Sequence, residues 1–300
     1  MRASLVTIAR RALDELPLRN AAVLVATSGG PDSMALLDVL AQLAPARGLR
    51  LHAHGVDHGL RPEAGAELDL AAAHATALGV SFDRTRVRVP LGGNLQARAR
   101  TARWEALTAA ARPRAATIAT AHHADDRAET ILLRLFRGAG LRGLAVLPPH
   151  ATAPDAPDVA VVRPLVRGRR TDILAHLSRR RLVYASDPSN EDGRYLRTRV
   201  RRNLMPLLAA IDPHIVEHLG AIADEAGAAR TGETDRAWTA GLPRATQDAI
   251  AALLRTGNRE ARVWLPGGLV VMLDGDRTRV SRRESTKSAT PLLVRRDRGI

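Results

Sequence analysis

The sequence predicts an α/β fold, a mostly parallel sheet with helices on both faces, followed by a small C-terminal α+β domain. Three observations carry this. Short apolar or alternating runs recur between helix-length segments over the first two thirds of the chain. Polar clusters fall directly after those runs, where parallel sheets bind ligands. Beyond about residue 206 the pattern changes to two helical stretches and four short β-like runs.

Taken in order, Leu5, Ile8, Ala9 and Leu13 recur at helical spacing, with Asp14 and Glu15 beside the arginines. An amphipathic first helix is expected there rather than a signal or transit peptide. Strands are expected at 23–26, 49–56, 81–89, 115–121 and 159–165, with helices at 33–43, 62–78, 95–111, 125–137 and 171–180. Pro148-Pro149 and the Ala/Pro/Asp stretch 151–158 read as an exposed loop rather than packed structure, and 186–192 as a polar turn. The first domain is expected to end near 202–206, giving domains 1–205 and 206–300. In the second, helices are expected at 211–230 and 244–255, and strands at 263–265, 269–273, 279–281 and 292–295.

A chain of 300 residues with 45% hydrophobic content can bury one substantial core and a smaller module. The formal charge of +14 points to a polyanionic partner such as nucleic acid, although a general arginine bias would give the same charge without one. The absence of cysteine excludes disulfides, a thiolate nucleophile, Cys-ligated zinc and iron–sulfur clusters. No apolar run approaches the roughly 18 residues that span a membrane, so no membrane partner and a cytoplasmic location are expected.

The most informative segment is Ser28-Gly29-Gly30-Pro31-Asp32-Ser33, directly after the run Val23-Leu24-Val25-Ala26. A strand entering two glycines and then a helix presents backbone N–H groups, the Ser28 and Ser33 hydroxyls and a helix N-terminus to one small anion. Asp32 is poorly suited to touch phosphate directly but well suited to hold Mg²⁺ against it. A Walker A loop needs a lysine after its second glycine, and Lys287 is the only lysine in the chain.

A second cluster, His122-His123-Ala124-Asp125-Asp126-Arg127-Ala128-Glu129, enters a helix. Asp126 and Glu129 are three apart and share a face, with His122 just before them. Such a trio can hold an ammonium, accept its proton or ligate Mg²⁺; capping by Asp125 with favourable first-turn acids explains the same residues without chemistry. Gly138-Ala139-Gly140-Leu141-Arg142-Gly143 fits G-x-G-x-x-G but follows a helix rather than a strand, so a dinucleotide site is rejected in favour of a tight loop at the rim. Arg197, Arg199, Arg201 and Arg202 are candidate contacts to the phosphates of ATP or RNA, or a solvated helix flank.

Together with Val56-Asp57-His58-Gly59-Leu60-Arg61, Asn94-Leu95-Gln96-Ala97-Arg98, the segment 100–104, Arg163-Pro164-Leu165 and Asp187-Pro188-Ser189-Asn190 through Tyr195, these motifs resemble the tRNA(Ile)-lysidine synthetases, a branch of the PP-loop ATP pyrophosphatases. The resemblance extends over about 22–202. It implies a Rossmann-like PP-loop domain that adenylates the C2 carbonyl oxygen of the wobble cytidine in a CAU anticodon of tRNA(Ile), with release of pyrophosphate. The amine of free L-lysine then displaces AMP. On this basis Ser28, Gly29, Gly30, Pro31, Asp32 and Ser33 bind ATP with Asp57 and His58, Asp32 anchors Mg²⁺, and Asp126 and Glu129 hold lysine. His122 and Arg103 lie near the reacting groups, Asp126 is the candidate proton acceptor, Arg197, Arg199, Arg201 and Arg202 meet tRNA, and the tail helps grip it. A homodimer is one assembly this reading admits. Trp104, Arg127 and Thr198 depart from the tyrosine, glutamine and asparagine common at those positions. PP-loop amide ligases and thiolases are the nearest other enzymes. A tRNA-binding protein without ATP chemistry is the non-enzymatic reading, against which Asp32, Asp126 and Glu129 argue.

Overall fold

The computed structural model describes residues 3–16, 18–60, 62–90, 92–185, 196–231, 242–256, 261–265, 269–274, 277–282 and 292–294. The chain divides into two compact units, Met1–Gly227 and Ala228–Ile300.

In the first unit, α1 (Leu5–Asp14) is capped by Ser4, whose hydroxyl accepts from Thr7 N–H. β1 (Ala22–Thr27), β2 (Arg50–Asp57), β3 (Ser81–Arg86), β4 (Thr117–Ala119), β5 (His150–Ala153) and β6 (Ala156–Val162) form one sheet in the order β3-β2-β1-β4-β6-β5. All neighbours are parallel except the β5–β6 hairpin. The crossovers run through α2 (Pro31–Arg47), α3 (Ala64–Ala77), α4 (Leu95–Ala111) and α5 (Ala124–Leu135).

Strand alternation explains how both faces of the sheet are covered. Val23 and Val25 of β1 join Leu5, Leu13, Met34, Leu37 and Leu40 in one buried cluster that also takes Ile173 and Leu177 of α6 (Arg170–Arg180). Leu24 and Ala26 face the other way, against Trp104 and Leu107 of α4 with Ile118 and Val161. Gly48, in the left-handed conformation at φ +63°, ends α2.

The stretch 151–158 is not a loop. It is most of the β5–β6 hairpin, turning at Pro154-Asp155 with Asp155 at φ +57° and closing one edge of the sheet. Proline and aspartate mark a two-residue turn here, while the flanking alanines and valines pair.

The first unit also runs beyond residue 206. α7 (Leu196–Arg199), a π-helical turn at Val200–Leu204 and α8 (Met205–Ile211) form one helical segment. Asp212 breaks it in extended conformation and accepts His214 N–H, so the expected helix 211–230 begins at α9 (Ile215–Thr231). Val200, Val216, Leu219 and Ala223 pack with Ile131 and Leu132 of α5 in a third cluster, which ties these helices to the first unit.

The second unit carries α10 (Arg244–Thr256) and an antiparallel sheet of β7 (Val263–Leu265), β8 (Leu269–Asp274), β9 (Arg277–Arg282) and β10 (Leu292–Val294). Ile250 and Leu253 of the helix pack with Leu265 and Val271. Among the described residues, no helix is long and apolar enough to cross a membrane.

Candidate active site

β1 pairs with β2 on one side and β4 on the other, so the chain reverses its winding beside β1. The crevice beyond the carboxyl ends of β1 and β4 is the ligand position for such a sheet. Residues 28–33 follow β1 and residues 120–123 follow β4, which brings the two sequence clusters to one place.

The first loop is held from within. Ser28 N–H donates to Ser33 Oγ at 3.1 Å, Ser33 Oγ donates to the Gly30 carbonyl at 3.0 Å, and the two hydroxyl oxygens lie 3.3 Å apart. Ala185 N–H donates to the Gly29 carbonyl at 2.8 Å, which ties the loop to the chain after α6. Gly29 sits at φ +78°, and a Cβ there would lie 2.2 Å from the Glu67 carbonyl oxygen of α3. Only glycine meets both conditions. Pro31 occupies the first turn of α2 with Asp32, where a missing N–H is harmless.

Asp32 faces His123, whose Nε2 lies 3.8 Å from Asp32 Oδ2 and 3.4 Å from Asp126 Oδ2. Burial pushes the Asp32 carboxyl above its ordinary value, opposed by His123. Asp32 Oδ1 is buried and without a hydrogen-bond partner, a free carboxylate oxygen beside an anion-binding loop, which fits Mg²⁺. Among the described residues no cluster of three or more His or acidic side chains could hold a metal alone.

His123, fully buried, caps α5 through a capping box with Asp126, its ring accepting from Asp126 N–H. Asp125 is therefore not the cap. It accepts Arg170 N–H at 2.8 Å and pairs with Arg169, fastening α5 to α6. Burial lowers the His123 imidazole, but Asp125, Asp126 and Asp32 outweigh it and hold it above its usual value.

Asp126 and Glu129 share a face of α5, and both are nearly buried. They meet Arg197 and Arg201. Arg197 reaches Asp126 Oδ1 at 2.8 Å and Glu129 Oε2 at 3.0 Å; Arg201 reaches Glu129 Oε1 at 2.6 Å and Asp126 Oδ1 at 3.4 Å. Burial raises the Asp126 carboxyl, yet His123 and Arg197 together hold it below the ordinary range. Two of the four expected RNA-contacting arginines thus pair with the acids of α5, although Arg197, like Arg199 and Arg202, remains exposed.

His122 follows β4 and bonds Thr120 Oγ1 through Nδ1 at 2.9 Å. It lines a cavity of about 210 Å³ with His58, Arg100, Arg103, Trp104 and Thr120. Burial drives its imidazole well below the ordinary value; Asp126 opposes this, and Arg163, Arg103 and Arg100 reinforce it, so the ring is neutral at neutral pH. His58 is lowered by burial and Arg103, and its Nδ1 is buried without a partner. Asp57 instead closes its own turn, accepting Gly59 N–H at 2.8 Å with Arg86 3.6 Å away. Arg61 and 186–195 of the resembling motifs lie outside the described residues.

Sequence reasoning missed His123, the residue between the two clusters, and Arg100 and Arg163. The doubled histidine after β4 was the available signal for the first. The second two stood within the resembling motifs without a role, and only three dimensions gather their guanidiniums round His122.

Compared with known proteins, the chain is 39% identical over 217 residues to a tRNA(Ile)-lysidine synthase of Novosphingobium aromaticivorans, covering 72% of this chain and 65% of that protein. It is 43% identical over 197 residues to a tRNA(Ile)-lysidine synthase of Methylococcus capsulatus, covering 65% and 44%. The chain thus spans between two fifths and two thirds of the length of these relatives. A U34-tRNA thiolase of Methanococcus maripaludis, holding a [4Fe-4S] cluster, shares the fold at a TM-score of 0.63 and 17% identity over 74% of this chain and 76% of that one. The PP-loop domain family matches residues 5–208, the span that holds β1 to β6 and both clusters, and this chain belongs to that family.

Proposed function

We propose that the chain ligates free L-lysine to C2 of the wobble cytidine in the CAU anticodon of tRNA(Ile), using ATP and releasing AMP and pyrophosphate. The observation that carries this is His123, which lies between Asp32 of the anion loop and Asp126 of the acidic pair and makes one continuous site of the two. The relatives named tRNA(Ile)-lysidine synthase support the substrate.

The loop N–H groups with Ser28 and Ser33 bind the phosphates of ATP. Asp32 would hold Mg²⁺, which would supply positive charge against the phosphates. The cytosine enters the cavity beside Trp104, with Arg103 and His122 around its C2 carbonyl oxygen as that oxygen attacks the α-phosphorus. Asp126 and Glu129 hold the lysine as an ammonium, which must lose a proton before it can attack C2. When the substrate displaces Arg197 from Asp126, one of the charges that oppose burial is withdrawn while His123 remains, and the carboxyl becomes a better base. The amine then adds to C2, and the C2–O bond breaks to release AMP. Arg199 and Arg202 remain on the side open to RNA, and the second unit supports the tRNA.

Incorporation of labelled lysine into a CAU-anticodon tRNA(Ile) transcript, with ATP and Mg²⁺, tests the proposal. Lysine incorporated into that transcript and not into tRNA(Met) is the expected result. ATP turnover with another nucleophile and no lysine incorporation would assign a different PP-loop ligation.

A further inference from the structure

The far end of α5 carries a surface that the chemistry above does not use. Residues 134–142 read Arg-Leu-Phe-Arg-Gly-Ala-Gly-Leu-Arg, without one acidic side chain. Phe136 is 57% exposed, Leu141 57% and Leu135 45%, and Arg134, Arg137 and Arg142 are all exposed. Among the described residues, none of these three guanidiniums is seated on a carboxylate. Other exposed arginines of the first unit do find acids, as Arg84 does with Asp69 and Arg112 with Asp158. An uncovered aromatic ring between unpaired arginines has the chemistry of a single-stranded nucleic-acid platform: the ring stacks a base and the guanidiniums take the flanking phosphates.

The local backbone favours this use. The C-terminal end of a helix carries negative partial charge, which would repel phosphate. Here the Arg134 carbonyl accepts from Arg137 and Ala139 N–H, and that of Leu135 from Gly138 N–H, so these carbonyls are occupied. The short helical turn Leu141–Leu144 anchors the segment by burying Leu144 while leaving Leu141 and Arg142 outside. Along the helix, Phe136 lies ten residues after Asp126, about 15 Å at 1.5 Å per residue. That is a span of a few nucleotides from the reacting centre.

We infer that Arg134, Phe136, Arg137 and Arg142 form the docking platform for unpaired loop nucleotides flanking the base that enters the site. The inference rests on the proposed RNA substrate. Its chemistry selects an RNA loop over duplex RNA, because a paired base has no free face to stack on Phe136.

The test is fluorescence anisotropy of the full chain with a labelled anticodon stem-loop and with a duplex of equal length, across a salt series. Phe136→Ala is expected to weaken stem-loop binding by about 5- to 100-fold and leave duplex binding within twofold. Arg137→Gln with Arg142→Gln should flatten the dependence of log K on log salt by about 1 to 2. Binding of a non-hydrolysable ATP analogue should not change, since the loop of residues 28–33 is untouched. Wild-type affinity and salt slope in both variants would overturn the platform while leaving the lysine-ligation reading intact. Absence of stem-loop binding by the wild-type chain would overturn both. Loss of a concentration-dependent dimer in Phe136→Ala, with RNA binding unaltered, would assign the patch to a second copy instead.

Discussion

Arg127 and Asp224 form an ion pair of 2.7 Å that joins the buried side of α5 to α9, with the guanidinium 3% exposed. The same arginine donates through Nε to the Val146 carbonyl, and Arg167 approaches the other oxygen of Asp224. The charge at position 127 is therefore a strut holding the helix that carries Asp126 and Glu129. Arg127→Ala leaves Asp224 and the Val146 carbonyl short of a donor. We expect a loss of about 2 kcal/mol, or about 4–8 °C in Tm, measured by thermal denaturation. No change in Tm would make the pair incidental.

Asp38, fully buried in the middle of α2, accepts from His176 at 2.8 Å, Gln42 at 2.6 Å and Arg180 at 3.3 Å. Burial raises its carboxyl, but the bonds from His176 and Arg180 outweigh that and hold it below the usual carboxylate value. A carboxyl depressed in the folded state adds stability above its unfolded value near 4, and this is lost as the pH falls through the folded value. Asp38→Asn should cost about 3 kcal/mol at pH 7, with the gap to wild type narrowing below about pH 4. Urea unfolding at the two pH values measures it, and a constant gap would contradict the assignment.

The two carboxylate groups of the site should separate kinetically. Asp32→Ala is expected to reduce ATP–pyrophosphate exchange with tRNA by about 100-fold or more, through loss of the metal anchor and its charge. Glu129→Gln should leave exchange within a few-fold and raise the KM for lysine by about tenfold. Equal effects on both steps from both variants would refute this division.

Arg197 and Arg201 give a prediction about binding order. Their guanidiniums occupy the acids proposed to receive the ammonium, so lysine must exchange with them rather than enter an empty pair. Calorimetric titration should show weak lysine binding to the free chain and tighter binding once ATP draws the arginines toward its phosphates. Arg201→Gln should tighten lysine binding to the free chain about fivefold. Tight lysine binding to the unmodified free chain would exclude the exchange.

The sequence made the sheet and both polar clusters legible because each depends on short-range signals: apolar runs for β1 and β2, glycines and proline for residues 28–33, and helical spacing for Asp126 and Glu129. The second strand of the hairpin was legible from Val159 on, but its first strand and turn, within 150–158, were not, because Pro154 and Asp155 punctuate a turn and a loop alike. Only pairing with β4 through Ile118 and Ala119 distinguishes them. The pairing of Arg197 and Arg201 with the acids of α5 was equally hidden. An arginine sequence reads as a basic surface until the acids nearly 70 positions earlier are folded against it.

The close approach of Gly29 to Glu67 puts two backbones in contact with no side chain as a cushion between them. α3 is thus a rigid backstop for the phosphate grip. On its inner side, Leu68 presses on Gly55 of β2, where an added Cβ would meet a leucine methyl at 2.6 Å. A slightly larger residue on that buried flank would shift the helix, and the shift would pass undamped into the loop. The shape of the anion loop is thereby set from behind the crevice, by the backbone of Glu67 and the side chain of Leu68.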